Sequence, residues 1–291
     1  MLVSSELRHN ADATSPADQA GWRAELSLDF ACRDGRTVLV AREHRGPLVV
    51  QRPLYEEGPQ VCQVVIVHPP GGIAGGDRLG LRANVGEQGH VVFTSPGAAK
   101  WYRSAGPRAI QDVRVRVAPG AVVEWMPQET ILFDGARAEL HSRVELAGNA
   151  LFIGWEVVCF GRTASGERFQ TGQLMQASEV LHEGCALLGE YAQVEGGSRL
   201  LGSRAGLAGH PVSATMVLAG RESGRDLLAR LRAVAPPDGS LAGVSTLPGA
   251  TVARFLGRSA EAARAYFTAL WKLARPALAG REAVPPRIWR C

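Results

Sequence analysis

Residues 68–77 read His-Pro-Pro-Gly-Gly-Ile-Ala-Gly-Gly-Asp, a density of chain breakers that no helix or regular strand tolerates. The apolar run Val61–Val67 delivers the chain into this loop. Each Gly loses more freedom on folding than other residues, so a rigid loop of this kind exists to approach something closely. The candidates are a phosphate, a metal or another polypeptide. Asp77 closes the loop, either as a metal ligand or as a turn residue bonding its own backbone. A nucleotide is disfavoured. Neither GxxxxGKS/T nor GxGxxG opening a helix is present, and a carboxylate at position 77 would repel phosphate.

A second group of carboxylates follows. Glu124, Glu129 and Asp134 lie in the strand-like stretch Glu124-Trp-Met-Pro-Gln-Glu-Thr-Ile-Leu-Phe-Asp-Gly135. Glu156 sits inside the apolar run Leu151–Phe160, where Trp155 and Val157 share one face and Gly154, Glu156 and Val158 the other. Glu is rarely buried unpaired, so the Glu156 face is expected to meet solvent. Paired carboxylates also suit glycoside hydrolysis, which needs an acid and a nucleophile or base ~5–9.5 Å apart. No GxSxG elbow and no HExxH pair is present, and the seven histidines are scattered, so a closed metal site has no support. A third group, Lys100-Trp-Tyr-Arg103, sets two cations beside two aromatics after a Pro-Gly turn. Lys100, Trp101, Tyr102 and Arg103 are types that dominate interface energies, or else cations lying over their own core aromatics.

These groups need a frame. From Gly21 to about Glu195 the pattern is β: Val113-Arg-Val-Arg-Val117 alternates strictly, with its valines inward and Arg114 and Arg116 outward. Further strands are expected at Val91–Thr94, Ala121–Trp125, Thr130–Phe133, Leu140–Leu146, Leu151–Phe160 and Phe169–Gln176, separated by Gly, Pro and Asn turns. Short strands at this spacing argue for an all-β sandwich, barrel or solenoid. In the C-terminal third, Ser223 is placed to cap a helix carrying Leu227, Leu228 and Leu231. Ser259 is placed to cap a longer one with Ala263, Tyr266, Phe267, Leu270, Trp271 and Ala274 on one face, ended by Pro276. The tail Val284–Cys291, with Trp289, either packs on its own domain or binds a partner.

Composition narrows the function classes. The chain has 291 residues, 46% hydrophobic, enough for a sizeable core, and a net charge of +4 with no basic run, which does not indicate nucleic acid. No apolar stretch approaches the ~18 residues of a membrane span. The polar stretch 1–20 lacks the apolar core of a signal peptide and is read as a disordered tail of a cytoplasmic protein. The five cysteines form no CxxC pair; Cys62 and Cys159 are expected to be buried free thiols and Cys291 exposed.

Six stretches carry a resemblance. They are Gln51-Arg-Pro-Leu-Tyr55, His68-Pro-Pro-Gly-Gly-Ile-Ala-Gly-Gly-Asp-Arg-Leu79, Ser95-Pro-Gly-Ala-Ala-Lys-Trp-Tyr-Arg-Ser104, Glu124-Trp-Met-Pro-Gln-Glu-Thr-Ile-Leu-Phe-Asp-Gly-Ala136, Gly161-Arg-Thr-Ala-Ser-Gly-Glu167 and Pro286-Arg-Ile-Trp289. In this order they resemble the urease accessory protein UreD family, called UreH in some organisms. Ala74, Ser95, Trp101 and Met126 stand where that family more often has Val, Thr, Phe and Leu. The resemblance implies a mainly β, β-helical, solenoid-like body to about residue 220, followed by two α-helices and a tail, as one domain over 21–291. It implies a non-enzymatic role: binding apo-urease and UreF, with the GTPase UreG recruited through UreF, and guiding Ni²⁺ inward without a tightly bound cofactor. Such a conduit must hold the ion weakly and at several points. Asp77, Glu129, Asp134 and Glu156, with His68 as a nitrogen donor, are the candidates for that path. Lys100, Trp101, Tyr102, Arg103, Trp271 and Trp289 are the candidates for partner contact. The rival from another class is a β-solenoid carbohydrate-active hydrolase.

Overall fold

The computed structural model describes residues 21–290. The expected disorder of 1–20 and exposure of Cys291 lie outside the described residues. In chain order the elements are β1 (Arg23–Arg33), β2 (Arg36–Arg45), β3 (Val49–Val50), β4 (Val61–Val67), β5 (Arg78–Val85), β6 (His90–Thr94), β7 (Ala99–Trp101), β8 (Ala109–Val117), β9 (Val122–Met126) and β10 (Thr130–Leu132). There follow β11 (Arg137–Leu146), β12 (Leu151–Phe160), β13 (Gln173–His182), β14 (Cys185–Glu195), α1 (Arg199–Gly202), β15 (Val212–Ala219), α2 (Arg225–Ala233), β16 (Leu241–Leu247), β17 (Ala250–Gly257) and α3 (Ala260–Ala279).

Two sheets form the body. One runs β14-β13-β11-β8-β5-β1-β2, the other β16-β17-β15-β12-β9-β6-β4-β3. From β4 to β13 the chain shuttles between them, and each strand pairs in parallel with the strand laid down one coil earlier. The expected solenoid-like stacking is therefore the architecture. Antiparallel hairpins finish both sheets: β1 with β2, β13 with β14, and β17 with β15 and β16.

The alternation in the sequence sorts the faces. Val113, Val115 and Val117 are buried and Arg114 and Arg116 exposed, as the pattern required. β12 is apolar almost throughout because both of its faces are covered. Phe152, Val158 and Phe160 face the space between the sheets, whereas Ile153, Trp155, Val157 and Cys159 face α3. Cys62 and Cys159 are buried free thiols, and burial pushes them up to about 11 and about 12.

Several boundaries differ from the sequence reading. β13 starts at Gln173, four residues after the expected Phe169. Phe169 is instead a core side chain packed on Phe160, and Gly172 turns the chain at φ +95° before pairing begins. The strand β15 falls within the expected β body to about residue 220, whereas β16 and β17 were not expected among the C-terminal helices. Ser259 does cap α3, accepting from the Ala262 N–H at 3.3 Å. Pro276 does not end it. Near a C-terminus proline forfeits one hydrogen bond, and buried Leu278 and the left-handed Gly280 carry the helix to Ala279. Gly224, not Ser223, stands at the N-terminus of α2, with no side-chain cap.

Candidate functional site

The motif loops stack. Each lies where the chain leaves the second sheet for the first, so 68–77, 95–104, 127–136 and 160–172 form successive steps along one rim. Ile73 N–H donates to the Lys100 carbonyl at 2.7 Å, and Tyr102 N–H donates back to Ile73 at 2.9 Å. Phe133 N–H then reaches Trp101 at 3.0 Å, and Gly161 N–H reaches Leu132 at 2.8 Å. The glycines of 68–77 serve this stacking. A Cβ on Gly72 would lie 2.0 Å from the Tyr102 ring, and one on Gly75 2.2 Å from the Ser104 hydroxyl. The polypeptide that the loop approaches so closely is its own neighbouring turn. Gly72→Ala is accordingly expected to expel Tyr102 from its seat on Phe133 and to cost about 1–3 kcal/mol, read as a lower denaturation midpoint. A midpoint equal to that of the parent would show the rim to be plastic.

Each candidate carboxylate has a distinct place. Asp77 is buried, and its two oxygens accept from Trp22 N–H and Ala74 N–H, both at 2.8 Å, so it ties β1 to the loop. Asp134 does the same one end further along. One oxygen takes Gln170 N–H at 2.8 Å, Thr171 N–H at 2.7 Å and the Thr171 hydroxyl at 3.1 Å, and the other faces Arg103 at 3.5 Å. Desolvation raises its pKa, but the Thr171 and Gln170 bonds and the Arg103 charge outweigh that and hold it below the usual range. Glu129 pairs with Arg264 of α3 at 3.3 Å.

Glu156 corrects the expectation of a solvated face. It points between the sheets, where Gln176 Nε2 donates to it at 2.5 Å and the Ser178 hydroxyl lies at 3.5 Å. The cause is in the register. One inward row reads Leu79, Gln111, Leu140, Gln176 and the next Leu81, Val113, Ser142, Ser178, so the interior turns polar towards β13. Burial raises the Glu156 pKa, with the bonds from Gln176, Ser142 and Ser178 opposing and the charge of Glu190 adding.

Two cavities occupy this interior, of about 440 Å³ and about 550 Å³. Val113, Trp125, Glu156 and Val158 belong to the walls of both, so Glu156 stands at their junction. His68 and Gln111 also border the first, at the rim end. Burial lowers the His68 pKa, against the pull of Asp77, and so favours the neutral imidazole, the form that can ligate. Of the five candidates for a metal path, His68 and Glu156 thus share one cavity, whereas Asp77, Asp134 and Glu129 are engaged as ties between elements.

The aromatic candidates for partner contact divide. Lys100, Tyr102 and Arg103 are exposed on the rim. Trp101 is core, stacked between coils. Trp271 is wholly buried beneath α3, and Trp289 donates to the Thr94 hydroxyl at 2.8 Å while packing on Trp155 and Trp271. Trp101 and Trp271 therefore offer no surface, and the tail packs on its own domain, because large aromatic area gains most from burial.

Sequence reasoning missed a buried polar centre. Glu124 is wholly buried and accepts from His90 Nε2 at 2.6 Å, Arg275 Nε at 2.9 Å and Trp271 Nε1 at 2.5 Å. Arg275 also forks onto Glu57, at 2.5 and 3.0 Å. An arginine one turn beyond Trp271, in an otherwise apolar stripe, was the available signal.

Residues 22–290 match the UreD urease accessory protein family. The chain belongs to that family. Relatives named urease accessory protein UreD include one from Pseudomonas aeruginosa, 51% identical over 269 residues, covering 92% of this chain and 95% of the relative. One from Dechloromonas aromatica is 47% identical over 279 residues, covering 95% and 97%. One from Azoarcus is 48% identical over 273 residues, covering 94% and 95%. Membership makes the protein a non-catalytic factor in urease maturation and removes the carbohydrate-active hydrolase. No helix among the described residues is long and apolar enough to cross a membrane.

Proposed function

We propose that this member of the UreD family acts in the cytoplasm on apo-urease, together with UreF and, through UreF, the GTPase UreG. In this reading its interior passes Ni²⁺ towards the urease active site. The observation that carries the reading is the pair of interior cavities meeting at Glu156. A conduit must offer cation-binding atoms and yet not trap its cargo. A lone carboxylate among Gln and Ser side chains meets both needs, since oxygen donors bind Ni²⁺ more weakly than a Cys or His cage. Lys100, Tyr102 and Arg103, exposed on the stacked rim, are the contact residues in this reading.

The test is a plug. Val113→Phe puts a ring into the wall shared by both cavities. The variant is mixed with apo-urease, UreF, UreG, GTP, bicarbonate and Ni²⁺, and urease is then desalted and its nickel measured. The expected result is intact co-purification with UreF and roughly tenfold less nickel in urease, a barrier rise of about 1.4 kcal/mol. Normal nickel loading by a folded, UreF-binding variant would overturn the passage.

A further inference from the structure

The second cavity has a charged mouth. It lies between β14, the edge strand of the first sheet, and β15 and β17 of the second. No backbone ladder joins the two sheets there; side chains of β14, β15 and β17 border the gap, with Leu200, Gly206 and Leu207 of the α1 segment. Arg254 of β17 reaches across to the carboxylate of Glu190 on β14 with both terminal nitrogens, one of them at 3.4 Å, and also donates to the Thr215 hydroxyl at 3.3 Å. All three side chains border the cavity. Arg254 remains 59% exposed and Glu190 26% exposed, so the pair sits at the surface end of the cavity. Glu156 is at the inner end, near enough for the charge of Glu190 to act on it.

This placement has an electrostatic consequence. A fixed guanidinium at a cavity mouth repels a divalent cation, whereas a bare carboxylate draws one in. Paired, the two cancel and fill the opening. An exposed ion pair is weak in water, so a competing cation can separate it at small cost. Arg254 then has water to turn to, and Glu190 becomes the second carboxylate on a line that begins at Glu156.

We propose that Arg254 and Glu190 form a charge gate on the second cavity. Paired, they close the gap between the sheets; a divalent cation opens it by taking the place of Arg254 at Glu190. The gate deepens the passage reading above and rests on it.

The gate predicts opposite signs for two substitutions that a structural staple would make alike. Full-length variants are compared by the initial rate of nickel uptake into urease in the complete activation mixture, with thermal melting alongside. Glu190→Gln leaves an unpaired cation at the mouth and is expected to slow uptake roughly tenfold, the lower end of what a fixed charge does to ion arrival at a cleft. Arg254→Gln removes the obstacle and is expected to speed uptake about twofold or more, and the double variant is expected to return near the parent rate. If both single variants slow uptake in step with a lower melting temperature, or neither changes it, the gate is overturned. Val113→Phe, run in parallel, separates the two ideas. If the plug stops uptake while the gate variants are silent, the gate alone falls. If the plug is silent, the passage falls and the gate with it.

Discussion

Glu124→Gln is expected to lower folding stability by about 3–5 kcal/mol, the loss that follows removal of one member of a buried ion pair. On a chain of this size that is a fall of roughly 10 °C in melting temperature. The amide can still accept from one donor, but it leaves the Arg275 charge short of a partner in a site that is wholly buried. Arg275→Met should do comparable damage by stranding Glu124 and Glu57 together, and the double variant should lose less than the sum, because both changes act on one network. The pH dependence has a definite sign. Burial alone would raise the Glu124 pKa, but the bond and charge of His90, the charge of Arg275 and the Trp271 N–H reverse this and hold it low. A depressed carboxyl contributes stability above its ordinary pKa and loses it as pH falls through the folded value. The gap between parent and Glu124→Gln should therefore be widest at neutral pH and narrow in acid. A variant melting within about 2 °C of the parent would show that the centre is dispensable.

Glu156→Gln should move stability the other way. The folded pKa of Glu156 is raised, chiefly by burial, so the fold favours its protonated form. That contribution is present below the ordinary glutamate pKa and is lost as pH rises through the folded value. Glutamine imitates the protonated acid at every pH. The variant is expected to melt roughly 2–4 °C above the parent near pH 8, a gain of about 1 kcal/mol, and to match it in acid. Nickel delivery should fall roughly tenfold in the same protein, because the junction of the cavities loses its charge. A residue retained for stability would not show a gain in one measurement and a loss in the other. Unchanged delivery by the stabilised variant would return Glu156 to a structural role.

The body of this fold was legible where burial is two-sided or alternates. Val113–Val117 announced its faces, and the stripe from Ala263 to Ala274 announced α3; Leu151–Phe160 announced a strand, but its Glu156 face was read as solvated and lies between the sheets. The strands after residue 220 were not legible. β16 reads Leu-Ala-Gly-Val-Ser-Thr-Leu, a weak strand former held by its pairing with β17. The interior was hidden for a different reason. That Glu156 meets Gln176 and Ser178 depends on how one coil registers on the next, and no local pattern encodes that register. The role of the Gly-rich loop stayed open among phosphate, metal and polypeptide because tight packing of chain on chain and close approach to a ligand demand the same residue.

The buried centre under α3 also sets an order of events in synthesis. Glu124 is made 151 residues before the Arg275 that neutralises it. Until the last turns of α3 emerge, the outer face of the second sheet shows Val61, Val92, Ile153 and Trp155 to water, and Glu124 among them has His90 but not Arg275 as a partner. The face that α3 covers stays exposed on the growing chain until α3 is made, so the second sheet completes its packing only then. A chain that stops at Leu270 lacks Trp271, Arg275 and Leu278 and leaves that face uncovered, the kind of exposed apolar surface that draws aggregation.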